Sequence, residues 1–336
     1  MDLPTLSRRA TIDDVAELAG VSRSAVSRTF TAGASVSPRM RERVEQAAGA
    51  LGYKPNALAR VLTTRRNRLV AFLSGYQHNL HDAGYHDRIL AGLKAEGFRV
   101  LHVHIGPGED AGRALVDALD FPVSVAVVAG GSIDEDSIAT CIRLRTPLVL
   151  CSGEAGGQAA VDCINSDNAA GTRAALDHLV GRGCRRIACL AGTRGMFATR
   201  ERLEAFQTGM KAHGLDPAGV IHGDFSFEGG LAAARLLLEQ QPRPDALLCA
   251  NDAMALGALT AARELMQLRV PDDVAIFGFD DVPMAAWPGF ALSTVRNPVE
   301  EKARLICERT RLRASTPHCE ALNARLAMPL VLRSTA

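Results

Sequence analysis

The sequence predicts an α/β fold: a small all-α head followed by a larger body of two doubly wound lobes. Three observations predict it. Through residue 54, apolar side chains recur at helical spacing between capping residues. From Leu69 onward, eight short apolar runs alternate with helical segments. That implies parallel strands with helices on both faces, and eight units are many for one open sheet. Aromatics are 4% of the 336 residues, so the core must be built from Ala, Val, Leu and Ile.

Thr11 starts the first helix, with Asp14 placed to complete a near capping box. Ile12, Val15, Ala16, Leu18 and Ala19 form its apolar face, and Gly20 stops it with a positive φ. Ser22 caps a second, short helix from Arg23 to about Phe30. Val21, Val26 and Phe30 point inward; Arg23, Ser24, Ser27 and Arg28 point outward. Gly33 closes that helix. Ser37 caps a third, opened by Pro38, with Met40, Val44, Ala47, Ala48 and Leu51 inward and Gly52 ending it. Two short helices joined by a Gly turn and braced by a third make a helix-turn-helix. The outward face of the second helix carries Arg and Ser without Asp or Glu, which suits insertion into a DNA major groove. A generic three-helix bundle is the other reading.

In the body the expected strands are 69–73, 100–105, 123–130, 147–151, 186–192, 220–225, 246–252 and 274–281. Helices are expected near 86–97, 110–119, 134–145, 168–182, 199–213, 228–240, 253–268 and 299–313. In open α/β sheets, ligands bind beyond the carboxyl ends of the strands. Ser74, Asp167, Asp224, Asn251, Asp252, Asp280 and Asp281 cluster at those ends. Together they suit a polyhydroxylated ligand; each also suits a helix cap. The stretch 78–87 reads as a loop crowded with His78, His81, Asp82, His86 and Asp87. Metal sensing, an unusual ligand pocket and a solvated loop all remain open for it, although no Cys joins and the spacing fits no standard ligand pattern.

Composition narrows the function classes. Hydrophobic residues are 47% and charged residues 22%, an ordinary globular balance. No apolar run approaches the roughly 18–20 residues of a membrane span. The segment MDLPTLSRRATIDD has no signal-peptide core, so a cytoplasmic protein without membrane contact is expected. The eight Cys form no C-x-x-C pair, so neither a disulfide scaffold nor a zinc site is expected, and no cofactor. Neither G-x-G-x-x-G, Walker A nor G-x-S-x-G is present, so an enzyme is not signalled. Charge is uneven: residues 1–68 hold 12 Lys and Arg against 6 Asp and Glu, and the remainder 26 against 31. A basic head on an acidic body suits a polyanion-binding module or a solvated basic surface.

The stretch TIDDVAELAGVSRSAVSRTF, followed by VSPRMRERVEQAAGALGYKPNALARVLTTRRNRLVAFL, closely resembles the LacI-type (LacI/GalR) bacterial repressor family. The resemblance implies a DNA-binding head over 1–54, a hinge helix and linker over 55–68, and an effector-binding and dimerisation domain over 69–336. It implies phosphate contacts for Thr11, Ser22 and Ser37, and base reading for Arg23, Ser24, Ser27 and Arg28. It places Asn56, Ala59 and Leu62 in a hinge helix whose leucine wedges into the minor groove. Taken without the resemblance, Leu62 reads equally as the core of a connecting helix.

The similarity continues through D-x-x-N-x-D-N-x-A-G, R-x-R-L-E-A-F, G-D-F-S-F-E-G-G, A-N-D-A-M-A-L-G-A-L and V-A-I-F-G-F-D-D, which resemble the effector domain shared with periplasmic sugar-binding proteins. It implies that Arg202, Asn251 and Asp280 grip an effector and that Phe225 stacks on it. Ala83-Gly84 stand where the family usually has Asn-Pro, which puts the first-lobe half of that site in doubt. The function implied is a homodimeric, operator-binding transcriptional regulator, most often a repressor. Its partners are pseudo-palindromic duplex DNA and a small-molecule effector, either a sugar or sugar derivative or else a nucleobase or other metabolite. A transport-binding protein would share the body but would not carry residues 11–62.

Overall fold

A computed structural model of the chain describes residues 8–31, 34–54, 68–75, 80–106, 108–130 and 133–336. Two compact units divide it, Met1–Asn67 and Arg68–Ala336.

In the first unit, α1 (Ile12–Ala19) opens with a full capping box: the Asp14 amide donates to the Thr11 hydroxyl, and the Thr11 amide donates to the Asp14 carboxylate. Arg8 adds two bonds to that carboxylate, at 2.6 and 2.7 Å. Arg8 first, and the Thr11 backbone second, hold the Asp14 carboxyl well below the usual range. Gly20 ends α1 at φ 61°, where a Cβ would be strained. The second helix, α2 (Arg23–Thr29), and the third, α3 (Pro38–Ala50), are capped by Ser22 and Ser37. Val15, Val26 and Val44, one from each helix, meet in a fully buried core. Two arginines of α3 hold the ends of the other helices: Arg43 bonds the Ala19 and Gly20 carbonyls, and Arg41 the Thr29 carbonyl at 2.8 Å. Cations are favourable at such C-termini.

Two expected core residues are solvent-facing instead. Leu18 is 57% exposed and Leu51 38%. The buried stripe of α1 is Ile12, Val15, Ala16 and Ala19, at i, i+3, i+4 and i+7, and Leu18 falls off its edge. Leu51 lies past the last turn of α3, and Tyr53 packs on Phe30 instead, ring centres 6.0 Å apart. Gly33 lies outside the described residues.

The second unit holds two six-stranded sheets. The first lobe contains β1 (Leu69–Ser74), α4 (Leu80–Ala95), β2 (Arg99–His104), α5 (Ala111–Ala118), β3 (Val125–Val128), α6 (Glu135–Arg143), β4 (Leu148–Leu150) and β5 (Val161–Ser166). The second contains α7 (Asn168–Gly181), β6 (Ile187–Ala191), α8 (Phe197–Ala212), β7 (Gly219–His222), α9 (Phe227–Leu238), β8 (Ala246–Cys249), α10 (Asp252–Thr260), β9 (Ala275–Asp280) and β10 (Ser293–Arg296). The chain then returns through α11 (Val299–Ser315) to β11 (Asn323–Leu326), which completes the first sheet, and ends with β12 (Leu330–Val331) in the second. The strand orders are β11-β5-β4-β3-β1-β2 and β12-β10-β9-β8-β6-β7, and every pairing is parallel except β10 with β12. Alternate strand residues feed opposite apolar layers: Ala188, Leu190 and Ile276 face α9 and α10, whereas Cys189, Leu248 and Phe277 face α7 and α8.

All eight expected runs form strands, and four further strands appear: β5, β10, β11 and β12. The stretch expected as a loop through residue 87 is helical from Leu80, so it forms the first turns of α4. The run 220–225 is shorter than expected, because the chain leaves the sheet after His222.

One buried ion cluster fixes the return of the chain. Asp162 on β5 is fully buried and accepts from Arg309 at 2.9 and 2.9 Å, from Arg313 at 3.1 and 2.8 Å, and from the Leu322 amide at 2.8 Å. Burial pushes its carboxyl up, but the two guanidinium groups and the amide outweigh that and leave it below its ordinary value. Its stabilising share is therefore present above about pH 4 and fades as pH falls through the lowered folded value. Removing one partner of a buried pair leaves the other charge uncompensated, so Asp162→Ala is expected to lower stability by about 3–5 kcal/mol. Urea unfolding at neutral pH measures this, and a loss below about 1 kcal/mol would contradict the assigned role.

Candidate functional site

In the head, Ser22, Arg23, Ser24, Ser27 and Arg28 are all exposed on α2. Arg23 Nε pairs with Asp13 of α1 at 2.9 Å; both side chains are well exposed, so water and salt compete with this bond. The Ser22 and Ser24 hydroxyls lie 2.9 Å apart, and Arg28 Nε donates to the Ser24 carbonyl at 3.4 Å. Each contact is weak enough to exchange for a nucleic-acid acceptor. The hydroxyls of Thr11, Ser22 and Ser37 each accept the amide three residues on, at 3.4, 3.3 and 3.3 Å. The remaining first-turn amides of these helices have no intrahelical partner, which suits a phosphate. Asn56, Ala59 and Leu62 lie outside the described residues.

In the body, the strand ends bring Arg202, Asp280, Asn251 and Phe225 together. The Arg202 guanidinium stacks 3.7 Å above the Phe279 ring, donates from Nε to Asn168 Oδ1 at 2.9 Å, bonds the Ala250 carbonyl, and lies 3.7 Å from Asp280 Oδ1. The Asn251 side chain is committed at both ends: Oδ1 accepts from the Met254 amide as the cap of α10, and Nδ2 donates to the Phe225 carbonyl, each at 2.9 Å. The cap reading therefore holds for Asn251, which also shapes the Phe225 turn. Phe225 itself has φ 66°, and its ring covers Gly192 so closely that a Cβ there would collide.

Residues from the first lobe complete the polar chain. Asn297 Nδ2 donates to Asp280 Oδ1 at 3.3 Å and bonds His81 Nε2 at 3.1 Å, and Asn297 Oδ1 accepts from Ser166 Oγ at 2.8 Å. Lys302 Nζ lies 3.5 Å from Ser166 Oγ. Ser166, Asn297 and Lys302 escaped the sequence reading, since their meeting depends on contacts across more than a hundred residues. His81 belongs to the crowded stretch already singled out. Burial pushes its imidazole below the ordinary value. His86 packs its edge on Phe72, ring centres 5.5 Å apart, and burial pushes it down to about 4, so it is neutral. Among the described residues no three His, Cys, Asp or Glu are grouped to hold a metal ion.

A separate cavity of about 440 Å³ lies between the end of β4 and the start of α8, lined by Ser152, Glu154, Gln158, Phe197 and Arg200 among others. That volume suits a small metabolite. Of its lining residues, Arg200 faces Glu154 at 3.5 Å.

A helix-turn-helix head joined in one chain to a two-lobed cleft defines a DNA-binding regulator with a ligand-binding body. Comparison with known proteins agrees. The family described as bacterial regulatory proteins, lacI family, matches residues 11–56, and a periplasmic binding protein-like domain matches residues 176–336. The HTH-type transcriptional regulator CelR of Thermobifida fusca is 34% identical over 325 residues, 90% of this chain and 92% of that protein. Among solved structures, a lac repressor dimer bound to operator and an anti-inducer superposes with TM-score 0.82 at 26% identity, covering 98% of this chain and 99% of that one. A CelR–cellobiose complex superposes with TM-score 0.72 at 30% identity, covering 98% and 100%. The chain belongs to the lacI family of bacterial regulatory proteins and is a transcriptional regulator. No helix among the described residues is long and apolar enough to cross a membrane.

Beneath the cleft, Asp252 is fully buried and accepts from Thr294 Oγ1 at 2.5 Å and from the Val282 amide at 2.8 Å. Burial first, and Asp280 second, push its carboxyl up to about 8. The folded state therefore holds a proton that the unfolded chain releases near pH 4. Its contribution is present below about pH 4 and lost as pH rises through about 8. In Asp252→Asn the amide oxygen can accept from the Val282 amide while the amide nitrogen donates to Thr294 Oγ1, so the variant is expected to flatten the fall in Tm between pH 5 and 8. An unchanged Tm–pH slope would reject the buried proton.

Proposed function

We propose that the chain is a cytoplasmic repressor without catalytic activity that binds a pseudo-palindromic operator as a homodimer, and that a small metabolite held between the lobes sets its operator affinity. The observation that carries the reading is one continuous polar chain, Arg202–Asp280–Asn297–His81, joining strand ends of one lobe to a helix of the other. A ligand seated there touches both lobes at once, so its binding free energy acts on the angle between them. The cellobiose complex of CelR supports a sugar or sugar derivative as the starting class. Arg202 and Asp280 are the proposed gripping pair, with Asn251 shaping the turn that carries Phe225.

On DNA, Arg23, Ser24, Ser27 and Arg28 are the proposed base-reading face, and Thr11, Ser22 and Ser37 the phosphate anchors. Leu62 is the proposed minor-groove wedge, with Asn56 and Ala59 on the same hinge segment. Effector and operator then change each other's affinity by the same factor. An electrophoretic shift with duplex DNA from upstream of the chain's own gene, with and without candidate sugars, tests the whole reading. No preference over random duplex would sink it. Within it, Arg23→Ala is expected to lose about 1–3 kcal/mol of discrimination between the best site and its single-base variants. Unaltered discrimination would remove Arg23 from the reading face.

A further inference from the structure

We propose that one water molecule is a built part of the second lobe, held beneath Arg202 by the hydroxyls of Thr172 and Thr199. The inference goes beyond the reading of the cleft as an effector site and does not need it, since it stands on a cavity and two side chains of one lobe.

Thr172 on α7 is 2% exposed and Thr199 on α8 is 3% exposed. Both Oγ1 atoms are shut off from solvent, and neither has a hydrogen-bond partner among the described residues. Other helical threonines satisfy their hydroxyls locally. Thr208, Thr260 and Thr310 each donate to the carbonyl four residues earlier, at 2.7, 3.0 and 2.7 Å. Thr172 and Thr199 make no such bond. A buried hydroxyl without a partner carries its full desolvation cost, and valine has the same shape and branching without that cost. The pair therefore calls for a polar partner that the protein itself does not supply.

Both threonines line one cavity. It lies between the α7–α8 pair and the second sheet, with Arg202, Phe206, Ala191 and Phe279 also on its wall. Its volume is about 10 Å³, which admits a single water molecule and no second. The two hydroxyls share helix faces with the side chains that already join α7 to α8. Thr172 is one turn along α7 from Asn168, Thr199 is one turn before Arg202 on α8, and Arg202 Nε donates to Asn168 Oδ1 at 2.9 Å. The threonines thus meet the seam between the helices from opposite sides. Water has two donors and two acceptors, and a buried water needs at least two polar partners, which this pair provides. The wall carries no carboxylate or imidazole, and Arg202 repels a cation, so neither a metal ion nor an ammonium fits. The water ties α7 to α8 a second time, beside the Asn168–Arg202 bond, and so fixes the seam on which Arg202 stands.

The test has two arms, both on the full chain. A high-resolution crystal structure is expected to show one oxygen peak within hydrogen-bond distance of both Thr172 Oγ1 and Thr199 Oγ1. In solution, Tm is compared for Thr172→Val, Thr199→Val and the double variant. With the water in place, each valine removes one of its bonds and is expected to lower Tm by about 2–4 °C. The second substitution should then add little, because a water left with one partner is already lost. In a dry cavity the sign reverses: each valine removes an unpartnered hydroxyl, and Tm rises. The proposal is overturned by a rise in Tm, by losses that simply add, by a cavity without density, or by a peak with the anomalous signal of chloride.

Discussion

The buried carboxylate of Asp162 is the constraint on which the body depends. The sheet of the first lobe is left unfinished at β5 until β11 arrives, after all but the last strand of the second sheet has been laid down. Asp162 joins β5 to two arginines 147 and 151 residues away. Arg313 has no exposed surface, and its other guanidinium nitrogen donates to the Pro317 and Cys319 carbonyls. Both Asp162 oxygens and all three Arg313 guanidinium nitrogens are thus hydrogen-bonded, the condition under which a buried ion pair is tolerable. The cluster also fixes where the cleft lies. Helix α11 is 17 residues long, and its second half is pinned to β5 through Arg309 and Arg313. Its first turn, bearing Lys302, is then positioned as the end of a rigid rod about 25 Å long.

A second constraint acts where β9 ends. Asp280 and Asp281 have φ 114° and 58°, values that non-glycine residues avoid. Such strain persists only where the surroundings over-determine the backbone. Here they do: Asp281 is held by Arg296 and Arg333, each at 2.7 Å, while Asp280 meets Arg202 and Asn297. The strained turn aims the Asp280 carboxylate back over the end of its own sheet. Backbone strain and side-chain electrostatics are parts of one device, and its members come from β9, from β10 and the residue after it, from the start of α8 and from Arg333 beyond β12.

What could be read in the sequence follows from whether the determining interaction is local. The helices of the head were legible because Thr11, Ser22, Ser37 and Gly20 act within three or four residues of themselves. Strands β6 and β8 were legible because almost every side chain in them is apolar and buried. Strand β5 was not. Its sequence VDCINS looks solvated, yet all six residues are buried, because Asp162, Asn165 and Ser166 find partners in Arg313, Gly153 and Asn297. The start of α4 was hidden for a related reason: His86 serves as a core residue at 3% exposure, and a sequence pattern counts it as polar. At the candidate site, Arg202, Phe225, Asn251 and Asp280 were reachable through the family resemblance, whereas Asn297 and Lys302 required the fold to bring α11 beside β5.

The head sets a condition on how regulation can work. Its core of Val15, Val26 and Val44 is closed by residues of the head itself, and its three helix caps and its two carbonyl-binding arginines are internal too. Nothing in its described interactions awaits a contribution from the body to fold α2. Helix α2 is thus held by interactions within the head. A coupling of 1–3 kcal/mol, about 5–150-fold in affinity, is the usual scale for linkage between effector and operator sites. The exposed Arg23–Asp13 pair is cheap to break, since both side chains are open to water and salt.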